Sequence, residues 1–233
     1  MHLAYLYLDI LVFIMPLISG IILRFKRINI IIRNFFLTFI IVSPIFIIWD
    51  IFFTAKNYWR FNNEYLIGIY IFKLPIEELL FFFCIPFASI ALFELLNLFI
   101  NDKKIVFNKS LFIILGIFIV LLSFYYNKIY FSTTLKVTSF LILLIVLLKN
   151  SVFNSRNFWI FITFSIIPFV IVNFILTSLP VVMYNSEAIE NFHIFSIPIE
   201  DFFYSFILLS SYLLIYNKIK NRFLLTNKVN VNK

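Results

Sequence analysis

Three observations predict an all-α integral membrane protein: the composition, the length of the apolar runs, and an internal repeat. Hydrophobic residues make up 63% of the 233-residue chain and charged residues 13%, with a mean hydropathy of +1.05; soluble domains hold about 45–50% and 25%. The apolar runs have the length of about 20 residues that a helix needs to cross hydrocarbon, and they lack the alternation of barrel strands.

Seven spanning helices are predicted in order. The first, Leu3–Leu23, has no basic region before it and no small-residue cleavage site after it, so it reads as a helix rather than a cleaved signal. The second, Phe35–Phe53, follows the basic stretch from Arg24 to Arg33, and the third, Pro75–Phe99, starts at a proline. The fourth and fifth, Leu111–Tyr125 and Ile129–Leu148, are parted by little more than Tyr126, Asn127 and Lys128. The sixth, Phe158–Leu179, begins just after Arg156, and the seventh, Ile197–Tyr216, ends at a basic tail.

Sliding the chain against itself by 123 residues aligns IFKLPIEE (71–78) with IFSIPIED (194–201). The same offset, without a gap, matches Lys26 with Lys149, Arg33-Asn34-Phe35 with Arg156-Asn157-Phe158, Thr54 with Thr177, Asn62 with Asn185 and Glu64 with Glu187. Helices one to three thus map onto five to seven. The reading is two parallel three-helix repeats, residues 1–100 (TM1-3) and 127–217 (TM5-7), joined by a linker helix within 101–126 (TM4) and followed by a basic cytoplasmic tail at 218–233. Most of the 19 Lys and Arg, among them Arg24, Arg33, Lys103, Lys149, Arg156 and Lys218, fall on one side of this layout. The positive-inside rule then puts the N-terminus outside and the C-terminus in the cytoplasm of a multi-pass protein of the cell inner (plasma) membrane. The net charge of +8 reads as topology and contact with the lipid bilayer, not nucleic acid.

One cysteine, Cys84, and two histidines exclude a disulfide framework and a thiolate or histidine-rich metal site. Three glycines, Gly20, Gly68 and Gly116, leave no place for a dinucleotide or phosphate loop, so no cofactor is expected.

Ionisable groups within hydrocarbon cost about 2.5–3.5 kcal/mol on insertion scales and mark function by default. Asp9, Asp50, Glu77, Glu78, Glu94, Glu200 and Asp201 all fall within predicted spans. Pro75 and the acids behind it also suit a plain helix start, but the second copy at Pro198 argues for chemistry. Asp50 and Thr54, like Asn173 and Thr177, are four apart and share a helix face; each pair precedes its proline by the same distance. Adjacent carboxyls in a low-dielectric site do not both ionise easily, so one is expected to keep a proton and act as a donor. Phe81, Phe82, Phe83, Phe202, Phe203 and Tyr204 offer ring faces for a transient cation. Trp49, Tyr58 and Trp59 read as interfacial belt residues, and Asp9 and Glu94, unmatched in the other half, as packing or boundary groups.

WDIFFT with LPIEELLFFF, and VNFILT with IPIEDFFYSF, resemble the bacterial membrane lycopene cyclases, in which two homologous modules, separate or fused, each carry a P-x-E-[ED] motif. The resemblance covers the chain up to about Tyr216 and implies a lycopene beta-cyclase of carotenoid biosynthesis, an isomerase that closes the linear ends of lycopene or a related acyclic carotenoid into β-ionone rings. It assigns acid and base roles among Glu77, Glu78, Glu200 and Asp201, with Asp50, Thr54, Phe81, Asn173, Thr177 and Tyr204 around the substrate. The Asp50 to Asn173 change leaves open two sites or a single one between the halves. Two other readings stand beside it: a small proton-coupled transporter with 3+1+3 parallel repeats, and a noncatalytic partner of other carotenoid enzymes.

Overall fold

A computed structural model describes residues 3–22, 25–148 and 151–231. Arg24, Lys149 and Lys233 of the basic count lie outside these residues. The described helices are α1 (Ala4–Ile22), α2 (Phe25–Ala55), α3 (Ile76–Phe99), α4 (Lys109–Tyr125), α5 (Ile129–Leu147), α6 (Arg156–Ser178) and α7 (Ile199–Val231). Five are long and apolar enough to cross a membrane: α2 from Ile28, α3, α5, α6, and α7 as far as Phe223; the apolar stretch Ala4–Ile18 of α1 and helix α4 are shorter. Each expected span coincides with a helix over most of its length, although Pro75 and Ile197–Pro198 lie on strands and Leu23 lies outside the described residues; five of the helices meet the length and apolarity of a crossing. Helices α4 and α6 begin two residues early, and two others run well past their expected bounds. Helix α2 begins at Phe25 rather than Phe35, and α7 runs through the predicted tail to Val231. Hydropathy marks only the part of a helix that meets lipid, while Lys, Arg and Asn continue the backbone ladder into water.

Short strands form one end of the bundle: β1 (Trp59–Phe61), β2 (Tyr70–Ile71), β3 (Leu74–Pro75), β4 (Val182–Tyr184), β5 (His193–Ile194) and β6 (Ile197–Pro198). Strands β1 and β4 pair antiparallel, with Trp59 opposite Tyr184, Arg60 opposite Met183 and Phe61 opposite Val182. Residues 60 and 183 are one offset apart, so the ribbon pairs a segment with its own counterpart. Its flanking bonds are reciprocal: Asn62 N–H donates to the Val181 carbonyl at 2.9 Å, and Asn185 N–H to that of Tyr58 at 2.8 Å.

The hairpins β2–β3 and β5–β6 deliver Pro75 and Pro198 to the starts of α3 and α7. Ile76 N–H closes on the Ile69 carbonyl and Ile199 N–H on that of Phe192. Proline has no N–H for the ladder and a fixed φ, which suits a helix entry. Phe72 and Phe195 occupy the hairpin tips at φ 49° and 57°, a left-handed conformation that costs a bulky residue about 1–2 kcal/mol. Both rings are 77% exposed at the rim.

Helix α1 packs along α3, α5 along α7, and α4 along α5. At Gly116 an added Cβ would lie 2.8 Å from the Leu143 side chain, and the Ser139 hydroxyl donates to the Gly116 carbonyl at 2.8 Å. Close approach of this kind is what small residues allow between membrane helices. Helix α2 packs on α7 and α6 on α3, so each set of three lends its middle helix to the other. The core at this crossing holds Phe35, Phe46, Phe82, Phe158 and Leu213, with the Ser43 and Tyr212 hydroxyls paired inside it.

Candidate active site

The two acids of each P-I-E-[ED] motif face different ways. Neighbours on a helix are about 100° apart, so one acid of each pair turns to the loop and the other to the bundle interior. Glu77 Oε1 accepts the Ile67 N–H at 2.6 Å, and Glu200 Oε1 accepts the Glu190 N–H at 2.7 Å. Residues 67 and 190, like 77 and 200, are 123 apart, so the same loop clamp recurs. Both carboxyls are fully buried, and neither lines the main cavity.

Glu78 and Asp201 do line it, together with Asp50 from the middle of the first three helices. Tyr5 donates its hydroxyl to Glu78 Oε2 at 2.6 Å. Tyr130 donates to Asp201 Oδ1 at 2.9 Å and Tyr184 to Oδ2 at 2.7 Å. Burial and the facing Asp201 hold the Tyr184 hydroxyl well above its ordinary value of 10.0, so it remains an O–H donor. The Asp50 carboxyl is electrostatically coupled to the Glu78 carboxyl and to Trp59. Its Oδ2 is buried without a hydrogen-bond partner among the described residues.

The cavity holds about 630 Å³, within the 300–1,000 Å³ usual for small-molecule sites. Phe81, Trp59, Tyr130, Tyr184 and Tyr204 surround the acids, and aliphatic and phenyl side chains of α3, α6 and α7 form the rest of the wall. The rings interlock: Trp59 and Tyr130 are 5.0 Å apart, Trp49 and Tyr204 5.4 Å. Among the described residues no group of three or more His, Cys, Asp and Glu is arranged to hold a metal ion. The arrangement can deliver and remove protons beside a dry aromatic surface.

Of the residues singled out from the sequence, Asp50, Glu78, Phe81, Asn173, Asp201 and Tyr204 come together around the cavity. Thr54 and Thr177 do not line it; Thr54 Oγ1 is buried without a hydrogen-bond partner among the described residues, and Thr177 pairs with the Ser196 hydroxyl at 2.6 Å. Phe82, Phe83, Phe202 and Phe203 pack elsewhere. Trp59 is only 6% exposed and lines the cavity, unlike the interfacial belt residue expected. Sequence reasoning also passed over Tyr5, Tyr130 and Tyr184. At the repeat offset these face Lys128, Tyr7 and Phe61, so Tyr5 and Tyr184 stand at breaks in the repeat, while Tyr130 matches a tyrosine of the other half. Glu94 lies far along α3 from the cluster and pairs with Lys220 at 2.5 Å, and Asp9 is buried near Glu78.

No curated protein and no solved structure matches the chain. The profile of the lycopene cyclase family does, over two stretches, residues 2–96 and 127–219. Each stretch contains one P-I-E-[ED] motif, and together they span most of the chain. The chain belongs to the lycopene cyclase family, a membrane protein whose role is that of a carotenoid cyclase.

Proposed function

We propose that the protein is a lycopene beta-cyclase with one acid centre, built jointly by its two halves. The observation that carries this is that Glu78 from the first half and Asp201 from the second line one cavity with Asp50. The reaction is a redox-neutral isomerisation. A proton adds to the terminal double bond of the linear carotenoid and leaves a tertiary cation; the neighbouring double bond attacks that cation to close the ring; a base removes a ring proton and restores a double bond. No atom is gained or lost overall.

Asp50 and Glu78 are the proton-donating pair, since two coupled carboxyls buried on one cavity do not both ionise and are stable when one keeps its proton. Asp201 is the base, because each of its oxygens accepts a tyrosine hydroxyl, an arrangement that suits a carboxylate. The faces of Trp59, Phe81 and Tyr204 stabilise the passing cation without offering it a nucleophile. Glu77 and Glu200 position the acids by clamping the loop ahead of each helix.

The same reading includes seven crossings in two parallel repeats, with modules at 1–100 and 127–217 and a linker at 101–126. It is supported by the recurrence of the clamp and the hairpin, and by the reciprocal ribbon. The strand-bearing end lies outside and the Glu94–Lys220 end faces the cytoplasm. Other carotenoid enzymes are natural neighbours for a protein that takes its substrate from lipid. The transporter reading wants a polar path, and this cavity wall is mostly apolar.

Expression in lycopene-accumulating cells tests the proposal. Lycopene is expected to give way to pigments with β-ionone ends, and unchanged lycopene with protein present in the membrane would reject it.

A further inference from the structure

The cavity is much longer than an acid centre needs. On α3 its wall is drawn from one face: Glu78, Phe81, Ile85, Leu92, Leu96 and Phe99. From Glu78 to Phe99 the helix rises about 32 Å at 1.5 Å per residue, close to the roughly 30 Å of a hydrocarbon core. Helix α6 supplies the opposite wall from Phe161 through Pro168 to Leu176. Between the two walls, the middle of the cavity is bordered by Ala88, Ser89 and Ser165. The outer flank of α6 is open: Phe164 and Ile171 are 65% and 55% exposed, and only 17% of its most apolar window is buried, against 56% for α7.

The internal repeat would predict a second such groove between α7 and α2, and it is filled. At the offset, Ser89 corresponds to Tyr212 and Val172 to Trp49. Tyr212 is fully buried and its hydroxyl meets Ser43 of α2; Trp49 packs its ring 5.4 Å from Tyr204. Two large side chains close one groove where a serine and a valine leave the other open.

We propose that the α3–α6 groove is a binding site for the unreacted length of a linear polyene. The molecule enters sideways from lipid, sets one end at Asp50, Glu78 and Asp201, and lies across the bilayer with its other end near Phe99. It rests on the cyclase reading. One groove with one acid centre closes one end per visit, so a half-cyclised molecule leaves and re-enters reversed before its second ring forms. Ser89 decides whether a long chain fits.

Ser89→Tyr, which copies the filled half, tests this beside Leu96→Trp at the inner end. Protein in lipid vesicles is given lycopene, or a truncated polyene with the same end group and about half the length; turnover and the lycopene retained on the purified protein are both read. Leu96→Trp is expected to lower lycopene turnover and retention about tenfold or more while leaving the truncated polyene within twofold. Ser89→Tyr is expected to lower lycopene retention likewise. Unchanged lycopene retention in both bulky variants overturns the groove, as does an equal loss of both substrates in Leu96→Trp. Wild-type protein that retains lycopene without converting it would reject the cyclase reading and keep the groove.

Discussion

Replacing Glu77 and Glu78 one at a time by glutamine separates two neighbours that look interchangeable in the sequence. At position 77 the accepting oxygen survives in the amide, so the bond from Ile67 N–H at 2.6 Å keeps its partner and loses only its charge assistance. A hydrogen bond to a charged group contributes about 1.5–3 kcal/mol and a neutral one about 0.5–1.5, so Glu77→Gln is expected to cost about 1 kcal/mol of stability. Cyclisation should stay within about tenfold, because the carboxyl lies outside the cavity. At position 78 the Tyr5 hydroxyl, now 2.6 Å from Oε2, still finds an oxygen in the amide, and the fold is kept. The transferable proton is gone. Loss of a general acid costs about 10²–10⁴ in rate, or about 3–5 kcal/mol of barrier at 1.36 kcal/mol per tenfold. The assay is the initial rate of ring formation from lycopene in vesicles, with melting temperature measured in parallel. Equal losses in the two variants at equal stability would refute the division into clamp and acid.

Three further outcomes are expected. In D₂O each new ring should carry one deuterium from the proton added to the double bond, read as about one mass unit per ring; rings without deuterium would exclude the acid step. Tyr184→Phe removes one of the two donors to Asp201 and should lower both stability, by about 1–3 kcal/mol, and the rate; a fully active variant would detach Asp201 from the chemistry. For orientation, Glu64→Cys and Lys103→Cys, both at exposed positions, are placed singly in a Cys84→Ser background. A membrane-impermeant maleimide should label the first in intact cells and the second only after lysis, and the reverse would invert the topology.

The helices were legible because hydropathy over about 20 residues reports directly on the solvent a segment meets. The repeat was legible through its polar matches, which a Phe- and Ile-rich composition does not produce by accident. Asn62 and Asn185, aligned in the sequence, cap their own loops by accepting the N–H of Glu64 and Glu187. What lay beyond reach is tertiary. Nothing in a local pattern says that β1 pairs with β4, or that α2 packs on α7. Which of two adjacent glutamates faces the interior depends on where the Ile67 N–H lies, a property of the loop and not of the helix face. Tyr5 and Tyr184 were hidden for the opposite reason, since they stand where the halves differ, and a search for matches passes over them. The same asymmetry, Ser89 against Tyr212, separates an open groove from a packed core.

The joint acid centre is tested most directly by the rates of Glu78→Gln, Asp201→Asn and the double variant on lycopene in vesicles. One shared centre predicts that each single change lowers the rate about 100-fold or more and that the double is no slower than the worse single, as for groups acting as a unit. Two independent centres would leave each single variant with about half the wild-type rate and only the double inactive, and that result would contradict the account.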